Sequence, residues 1–113
     1  MKDYASMSDF EINRRVADIA MNGTWHASPS HPGNSSGGWL YGSNGIQTYP
    51  LPDYCNNPAD AWPIITSSMI SIRPVGDDGQ LWEASVMGGM KADYDKNPLR
   101  AAMVVFLMMK EGE

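Results

Sequence analysis

The sequence predicts a single α+β domain over residues 1–113. A small antiparallel β-sheet packs with an N-terminal and a C-terminal helix, and a third, short helix sits at the edge. The strongest observation is the run of residues 101–109, which contains no polar side chain and follows Asn97-Pro98. Asn suits the N-cap and Pro the first helical position, so the run predicts a buried helix. Helical spacing near the N-terminus and period-two alternation after residue 69 predict the other helices and the sheet.

The first helix begins at a capping box formed by Ser8 and Glu11. Ile12, Val16 and Ile19 then recur at helical spacing, which predicts one buried face. Asn22-Gly23 is typical of a helix C-terminus, because Gly and Asn adopt the left-handed conformation readily. We therefore expect a helix from residue 9 to about residue 21.

The stretch from about residue 24 to 56 is rich in Gly, Ser and Asn, yet it contains several Trp and Tyr residues. Disordered linkers are poor in aromatic residues, so the composition predicts a partly ordered, functional loop. Within it, Asn44-Gly45 separates two short runs, 39–41 and 46–49. Asn-Gly favours a type I′ turn, which predicts a β-hairpin there.

The second helix has the same start as the last one, with Asn57 as the N-cap and Pro58 in the first turn. Pro63 falls inside it and should bend it. A start at Asp60 is the alternative, because it would place Pro63 in the first turn. In both cases the helix ends near Ser67-Ser68.

Two strands follow the second helix. Residues 69–73 alternate apolar and polar side chains, and Pro74 is expected to end that strand. Residues 81–87 alternate again, with Trp82, Ala84 and Val86 on one face. A turn signal at residues 76–79 joins the two strands into an antiparallel hairpin. We expect residues 91–96 to form a polar connection to the last helix.

The charge and cysteine content exclude several classes of function. The chain carries 8 basic and 13 acidic residues, a net charge of −5, whereas duplex nucleic acid requires clustered Lys and Arg. The apolar run is too short to cross a bilayer, so no membrane partner is expected. Cys55 is the single cysteine, which excludes an internal disulfide and fits a reducing cytosol.

No residue pattern indicates catalysis, a metal or a cofactor. His26, His31 and Cys55 could supply three zinc ligands, but the sequence offers no second pair at finger spacing. Cys55 as a nucleophile would need a base to lower its pKa, and His26 is the candidate. The paired carboxylates at Asp77-Asp78 and at 93–95 lie in turn-like contexts. We therefore predict that the protein is not an enzyme and holds neither metal nor cofactor.

The aromatic loop and the adjoining helix start form a candidate binding site. Flat rings stack on nucleobases, and a helix N-terminus favours anions, so the combination suits a base carrying a phosphate. The alternative is that the rings cover the sheet or a subunit interface. Tyr49 belongs to the same group of rings, and the candidate ligand-binding residues are Trp25, His26, Trp39, Tyr41, Tyr54, Asn56, Asn57, Arg73 and Arg100.

Three segments resemble the NinX-like phage proteins, a family of unknown function. They are Ser8-Asp9-Phe10-Glu11-Ile12-Asn13 with Arg15-Val16-Ala17, then Pro52-Asp53-Tyr54-Cys55-Asn56-Asn57-Pro58-Ala59-Asp60-Ala61-Trp62-Pro63-Ile64-Ile65, and Asn97-Pro98-Leu99-Arg100-Ala101-Ala102-Met103-Val104-Val105-Phe106-Leu107. The order of elements also resembles the wider phage α-β-α sandwich group. This resemblance implies a phage or prophage protein acting in the host cytoplasm, and it brings no catalytic residue with it.

These observations lead to two hypotheses about function. The first is a homo-oligomeric, non-enzymatic accessory protein that binds and sequesters a small nucleotide-type ligand, such as a host anti-phage defence signal. The second is a protein–protein interaction module that inhibits or adapts a host or phage protein. A homo-oligomer is expected because a short sheet leaves an edge or an apolar face to be covered.

Overall fold

A computed structural model describes residues 3–20, 25–27, 40–42, 49–76, 80–86 and 91–111. Within these residues a short 3₁₀ turn, Tyr4–Ser6, precedes three helices and six strands in two sheets, which confirms the α+β class. In chain order the elements are α1 (Asp9–Ala20), β1 (Trp25–Ala27), β2 (Leu40–Gly42), β3 (Tyr49–Pro50), α2 (Pro58–Ser67), β4 (Ser71–Val75), β5 (Leu81–Val86), β6 (Lys91–Asp95) and α3 (Pro98–Glu111).

Helix α3 is the centre of the core. Every residue from 101 to 107 is buried, and α3 contacts the β4–β6 sheet as well as α1 and α2. The predicted cap is confirmed, because the Asn97 Oδ1 atom accepts hydrogen bonds from the amides of Leu99 (2.9 Å) and Arg100 (3.3 Å). Among the described residues, no helix is long and apolar enough to cross a membrane.

Helix α1 packs against α3 through the face predicted from its spacing. Ile12, Val16 and Ala17 are fully buried there. The Ser8 Oγ atom accepts a hydrogen bond from the Glu11 amide at 3.1 Å, which is one of the two bonds of a capping box. The predicted end at Asn22-Gly23 lies outside the described residues.

Helix α2 begins at Pro58 rather than at Asp60, and Pro63 lies inside it. Its N-cap is confirmed, because the Asn57 Oδ1 atom accepts a hydrogen bond from the Ala59 amide at 3.0 Å. The sequence left both starts open, and the capping bond fixes the earlier one.

Helix α2 ends in a Schellman motif with an unusual residue. The Ile70 amide donates to the Ile65 carbonyl (3.0 Å), and the Met69 amide donates to the Thr66 carbonyl (3.3 Å). Met69 has a φ of 56°, the left-handed conformation that normally selects Gly. The strand predicted to start at Met69 therefore starts at Ser71.

The second sheet has the antiparallel order β4-β5-β6, and it corrects two predictions. Pro74 does not end β4, because it pairs with Trp82 inside the ladder. An edge strand tolerates Pro, since one side of the strand needs no donor. Residues 91–95 are not a connection but strand β6, which pairs with β5 from Lys91 to Asp95. Packing against α3 and β5 outweighs the low strand propensity of its polar residues.

The first sheet has the antiparallel order β1-β2-β3 and contains part of the aromatic loop. Strands β2 and β3 pair as the predicted hairpin requires, with Leu40 opposite Pro50 and Tyr41 opposite Tyr49. A two-residue turn at Asn44-Gly45 would give a register that differs from this one by one residue. The turn itself lies outside the described residues. Strand β1 was not predicted.

Candidate functional site

The first sheet brings ring-bearing residues together in one row. The register places His26 opposite Tyr41 and Tyr41 opposite Tyr49, so one residue from each strand lies at the same level. Trp25 lies opposite Gly42 in the neighbouring row. Trp39 lies outside the described residues. We call the three residues His26, Tyr41 and Tyr49 the ring row.

Two other predicted ligand residues have structural roles. The Tyr54 ring is only 3% exposed and belongs to the main hydrophobic core. Asn57 caps α2 through its side chain, so its Oδ1 atom already accepts a backbone hydrogen bond. Tyr54 and Asn57 thus support the fold at the edge of the loop.

The segments that carry the family resemblance meet in a network of polar side chains, which we call the polar clasp. Asn13 is its buried centre, donating to the Asp53 Oδ1 atom and accepting from the Cys55 amide, both at 2.9 Å. Asn97 joins α3 to the same loop by donating to the Cys55 carbonyl at 2.6 Å. The clasp consists of Asp9, Asn13, Asp53, Asn56, Asn97 and Arg100.

Asn56, a predicted ligand residue, is fully engaged in the polar clasp. Its Nδ2 atom donates to Asp9 (3.2 Å) and Asp53 (3.1 Å), and its Oδ1 atom accepts from Asn97 at 3.1 Å. A ligand would have to displace these bonds in order to use this amide. The arrangement therefore indicates a structural role for Asn56.

Arg100 is the cation of the polar clasp and holds the N-terminal segment. Its Nη1 atom donates to Asp9 at 2.6 Å, and its Nη2 atom donates to the carbonyls of Tyr4 (3.0 Å) and Met7 (2.6 Å). Its Nε atom lies 3.5 Å from Asp95, and the side chain is 12% exposed. These partners occupy the guanidinium, so it has little capacity left for an anionic ligand.

Arg73 lies on the face of the second sheet that points away from α3. Its Nε atom donates to Glu83 Oε1 at 2.7 Å, and the Tyr94 hydroxyl donates to Glu83 Oε2 at 2.7 Å. The hydrogen bonds from Arg73 and Tyr94 hold the pKa of Glu83 below its usual range. The Arg73 side chain is 68% exposed and therefore accessible, whereas that of Arg100 is 12% exposed.

Cys55 lies in an environment that disfavours the reactive thiolate form. The thiol is buried, and burial, helped by Asp9, raises its pKa to about 12. A nucleophile or a zinc ligand has to be a thiolate, so this environment favours neither role. Among the described residues, no group of three or more His, Cys, Asp and Glu side chains could hold a metal ion.

Asp93 has a perturbed carboxyl that the sequence did not indicate. It lies opposite the buried Ala84, on the side of the sheet that faces α3. Burial, with a smaller contribution from Asp95, raises the pKa of Asp93 to about 6. The sequence predicts a turn-like context for Asp93, whereas its position in β6, opposite Ala84, explains the raised pKa.

A second feature missed from the sequence is an apolar groove between α2, β4 and the start of α3. Its volume is about 330 Å³, and we call it the tryptophan groove. Trp82 is half-buried there, whereas Trp62 is 59% exposed. The sequence feature that could have indicated the groove is Trp62, which precedes Pro63 on a short helix. The lining residues are Trp62, Ile65, Ile70, Ile72, Trp82, Pro98 and Leu99.

The fold and the site define a small α+β protein with a polar clasp, a ring row on one sheet and an apolar groove beside the other. The chain belongs to the family described as bacteriophage P22 NinX, whose model matches residues 3–110. This confirms the resemblance drawn from the three segments. Neither the curated proteins nor the solved structures contain a match to the chain.

Proposed function

We propose that the protein is a phage accessory protein that binds and sequesters a small nucleotide-type ligand without converting it. The observation that carries this proposal is the ring row, in which three strands contribute His26, Tyr41 and Tyr49 at one level. Base stacking on such rings contributes about 1–3 kcal/mol per base and needs no particular base edge. The proposed ligand is a host signal in the cytoplasm, where a phage accessory protein would meet it.

The size and charge of the chain support a small ligand over a nucleic acid. Neighbouring strands lie about 4.8 Å apart, so the ring row spans roughly 10 Å. A net charge of −5 opposes binding of a long polyanion but allows a ligand with few phosphates. Arg73, the more exposed of the two predicted arginines, lies on the second sheet and pairs with Glu83, so the proposed site relies on the ring row.

Sequestration, rather than turnover, is supported by the state of the reactive side chains. Burial keeps the Cys55 thiol protonated at neutral pH, and the guanidinium of Arg100 is held by four partners. Binding without conversion lowers the free concentration of a signal. We propose a homo-oligomer because β6 is an edge of the described second sheet, and such an edge needs cover.

A thermal-shift screen with cyclic and ADP-ribose-type nucleotides tests the proposal. A ligand present at a hundredfold excess over its Kd adds about 2.7 kcal/mol of stability, which raises the Tm of a domain this size by roughly 10 °C. We expect Tyr41→Leu to reduce the shift and Tyr94→Leu, on the other sheet, to retain it in full. A panel that never shifts the Tm contradicts the proposal.

A second function, binding of a protein partner, is favoured by exposed apolar side chains. Trp62 is 59% exposed, and Met69 is 80% exposed after the end of the same helix. Trp is enriched at the centres of protein interfaces. A pull-down from infected cells should recover one stoichiometric partner, which Trp62→Ala should release. A partner that is retained by Trp62→Ala contradicts this use of the surface.

A further inference from the structure

The chemistry of the tryptophan groove limits what can enter it. None of its lining side chains is charged, and its only side-chain polar atoms are the two indole N–H groups of Trp62 and Trp82. A nucleobase has several donors and acceptors at its edge, and burying them without hydrogen-bond partners is unfavourable. The groove therefore favours an apolar group over a base or an anion.

The size of the tryptophan groove limits the occupant further. Its volume of about 330 Å³ is at the small end of ligand sites, which run from about 300 to 1,000 Å³. Such a space suits one large apolar side chain with part of its backbone. Burial of one such side chain is too small a contribution to bind a partner by itself, so additional contacts are needed.

The additional contacts are available beside the groove. Ile72, one of its lining residues, lies in β4, which is an edge strand of the described second sheet. Backbone groups on the open side of an edge strand can pair with an added strand. An extended peptide bound there would form a backbone ladder and direct alternate side chains toward the groove.

We propose that the tryptophan groove and the open edge of β4 together bind an extended segment of a partner protein. The segment adds a strand to β4 and inserts one large apolar side chain between Trp62 and Trp82. This inference rests on the second function, protein binding, and is independent of the nucleotide proposal.

A second copy of this chain fits the same surface less well. Strand β4 has five residues, so its edge is about 17 Å long, and a contact about 10 Å wide covers roughly 200 Å² per partner. Stable dimers bury about 1,200–2,000 Å² in total. Pro74 removes one backbone donor from β4 for either occupant, so an added strand pairs through the other residues of β4. A short segment of a larger partner can bind through a smaller area than a stable dimer buries. The proposed homo-oligomer would use another surface.

NMR titration of the ¹⁵N-labelled full chain tests this inference with a defined probe. The probe is an uncharged seven-residue peptide that alternates threonine with valine and has a central phenylalanine, so that its apolar residues share one face. We expect shifts in the indole N–H signals of Trp62 and Trp82 and in the amides of β4. The same peptide with alanine at its centre should bind at least tenfold more weakly.

Two variants provide a matched pair, since both side chains are exposed and apolar. Trp62→Ala should weaken peptide binding at least tenfold, whereas Met69→Ala, outside the groove lining, should change it less than twofold. N-methylation of alternate peptide amides should abolish binding, because it removes the ladder.

Several results would overturn the inference, and each has a distinct meaning. Absence of binding at about 1 mM peptide, or binding unchanged in Trp62→Ala, rejects strand addition at this site. Light scattering that shows a dimer dissociated by Trp62→Ala identifies a second copy as the occupant and also rejects it. If Trp62→Ala releases the pull-down partner while no peptide binds, protein binding stands and strand addition is rejected.

Discussion

Arg100→Lys is expected to destabilise the fold while leaving its architecture intact. The guanidinium donates to Asp9 at 2.6 Å and to the carbonyls of Tyr4 and Met7 at 3.0 and 2.6 Å. These acceptors lie around a planar fork that Lys does not have. A single ammonium can reach one or two of them, so at least one hydrogen bond to a charged donor is lost.

The expected loss follows from the structure. A hydrogen bond to a charged group contributes about 1.5–3 kcal/mol, and the Arg100 side chain is only 12% exposed, so water replaces the lost partner poorly. We expect Arg100→Lys to lower the free energy of unfolding by about 2–4 kcal/mol. A domain of 113 residues has roughly 6–17 kcal/mol in total, so the variant should still fold.

Urea denaturation followed by circular dichroism measures this loss. The midpoint should fall while the m-value stays constant, because the surface exposed on unfolding does not change. Arg14→Lys is the control, since Arg14 is exposed, and it should change the free energy by less than about 0.5 kcal/mol. If Arg100→Lys matches this control, the polar clasp does not hold the N-terminal segment and the reasoning fails.

Two further predictions concern backbone strain and pH. Met69→Gly should raise the free energy of unfolding by about 0.5–1 kcal/mol, because φ is 56° at Met69; a lower urea midpoint would contradict this. Asp93 has its pKa raised to about 6, above the unfolded value, so its ionisation weakens the fold as pH rises from about 4 to 6. After allowance for solvent screening, Asp93→Asn should add roughly 1–2 kcal/mol at pH 7.5 and almost nothing at pH 4; an equal gain at both pH values would refute the ionisation.

The helices could be predicted from sequence because their signals are local. Ser8, Asn57 and Asn97 each cap a helix through their own side chain, and the apolar run in α3 demands burial on all sides. Such signals do not depend on distant parts of the chain. For the same reason, the prediction that α2 ends near Ser67-Ser68 holds.

The predictions that are wrong concern residues whose secondary structure is decided by tertiary contacts. Strand β6 is polar in sequence, and only its position between β5 and α3 makes it a strand. Pro74 is tolerated because β4 is an edge, which the sequence does not reveal.

The candidate site shows the same limit. Tyr54 and Arg100 have suitable chemistry for a ligand, but the fold uses them in the core and in the polar clasp. The sequence shows only that this stretch is rich in aromatic residues. The strand register is what places His26, Tyr41 and Tyr49 opposite one another.

Isothermal titration calorimetry with a nucleotide that shifts the Tm tests the central claim most directly. Wild-type protein should bind it, Tyr41→Leu should weaken binding by about 1–3 kcal/mol, or roughly 5- to 150-fold, and Tyr94→Leu should match wild type. Tyr94 is the appropriate control because it is a ring that is 53% exposed on the other sheet. Equal affinity in wild type and Tyr41→Leu would contradict the claim that the ring row holds the ligand.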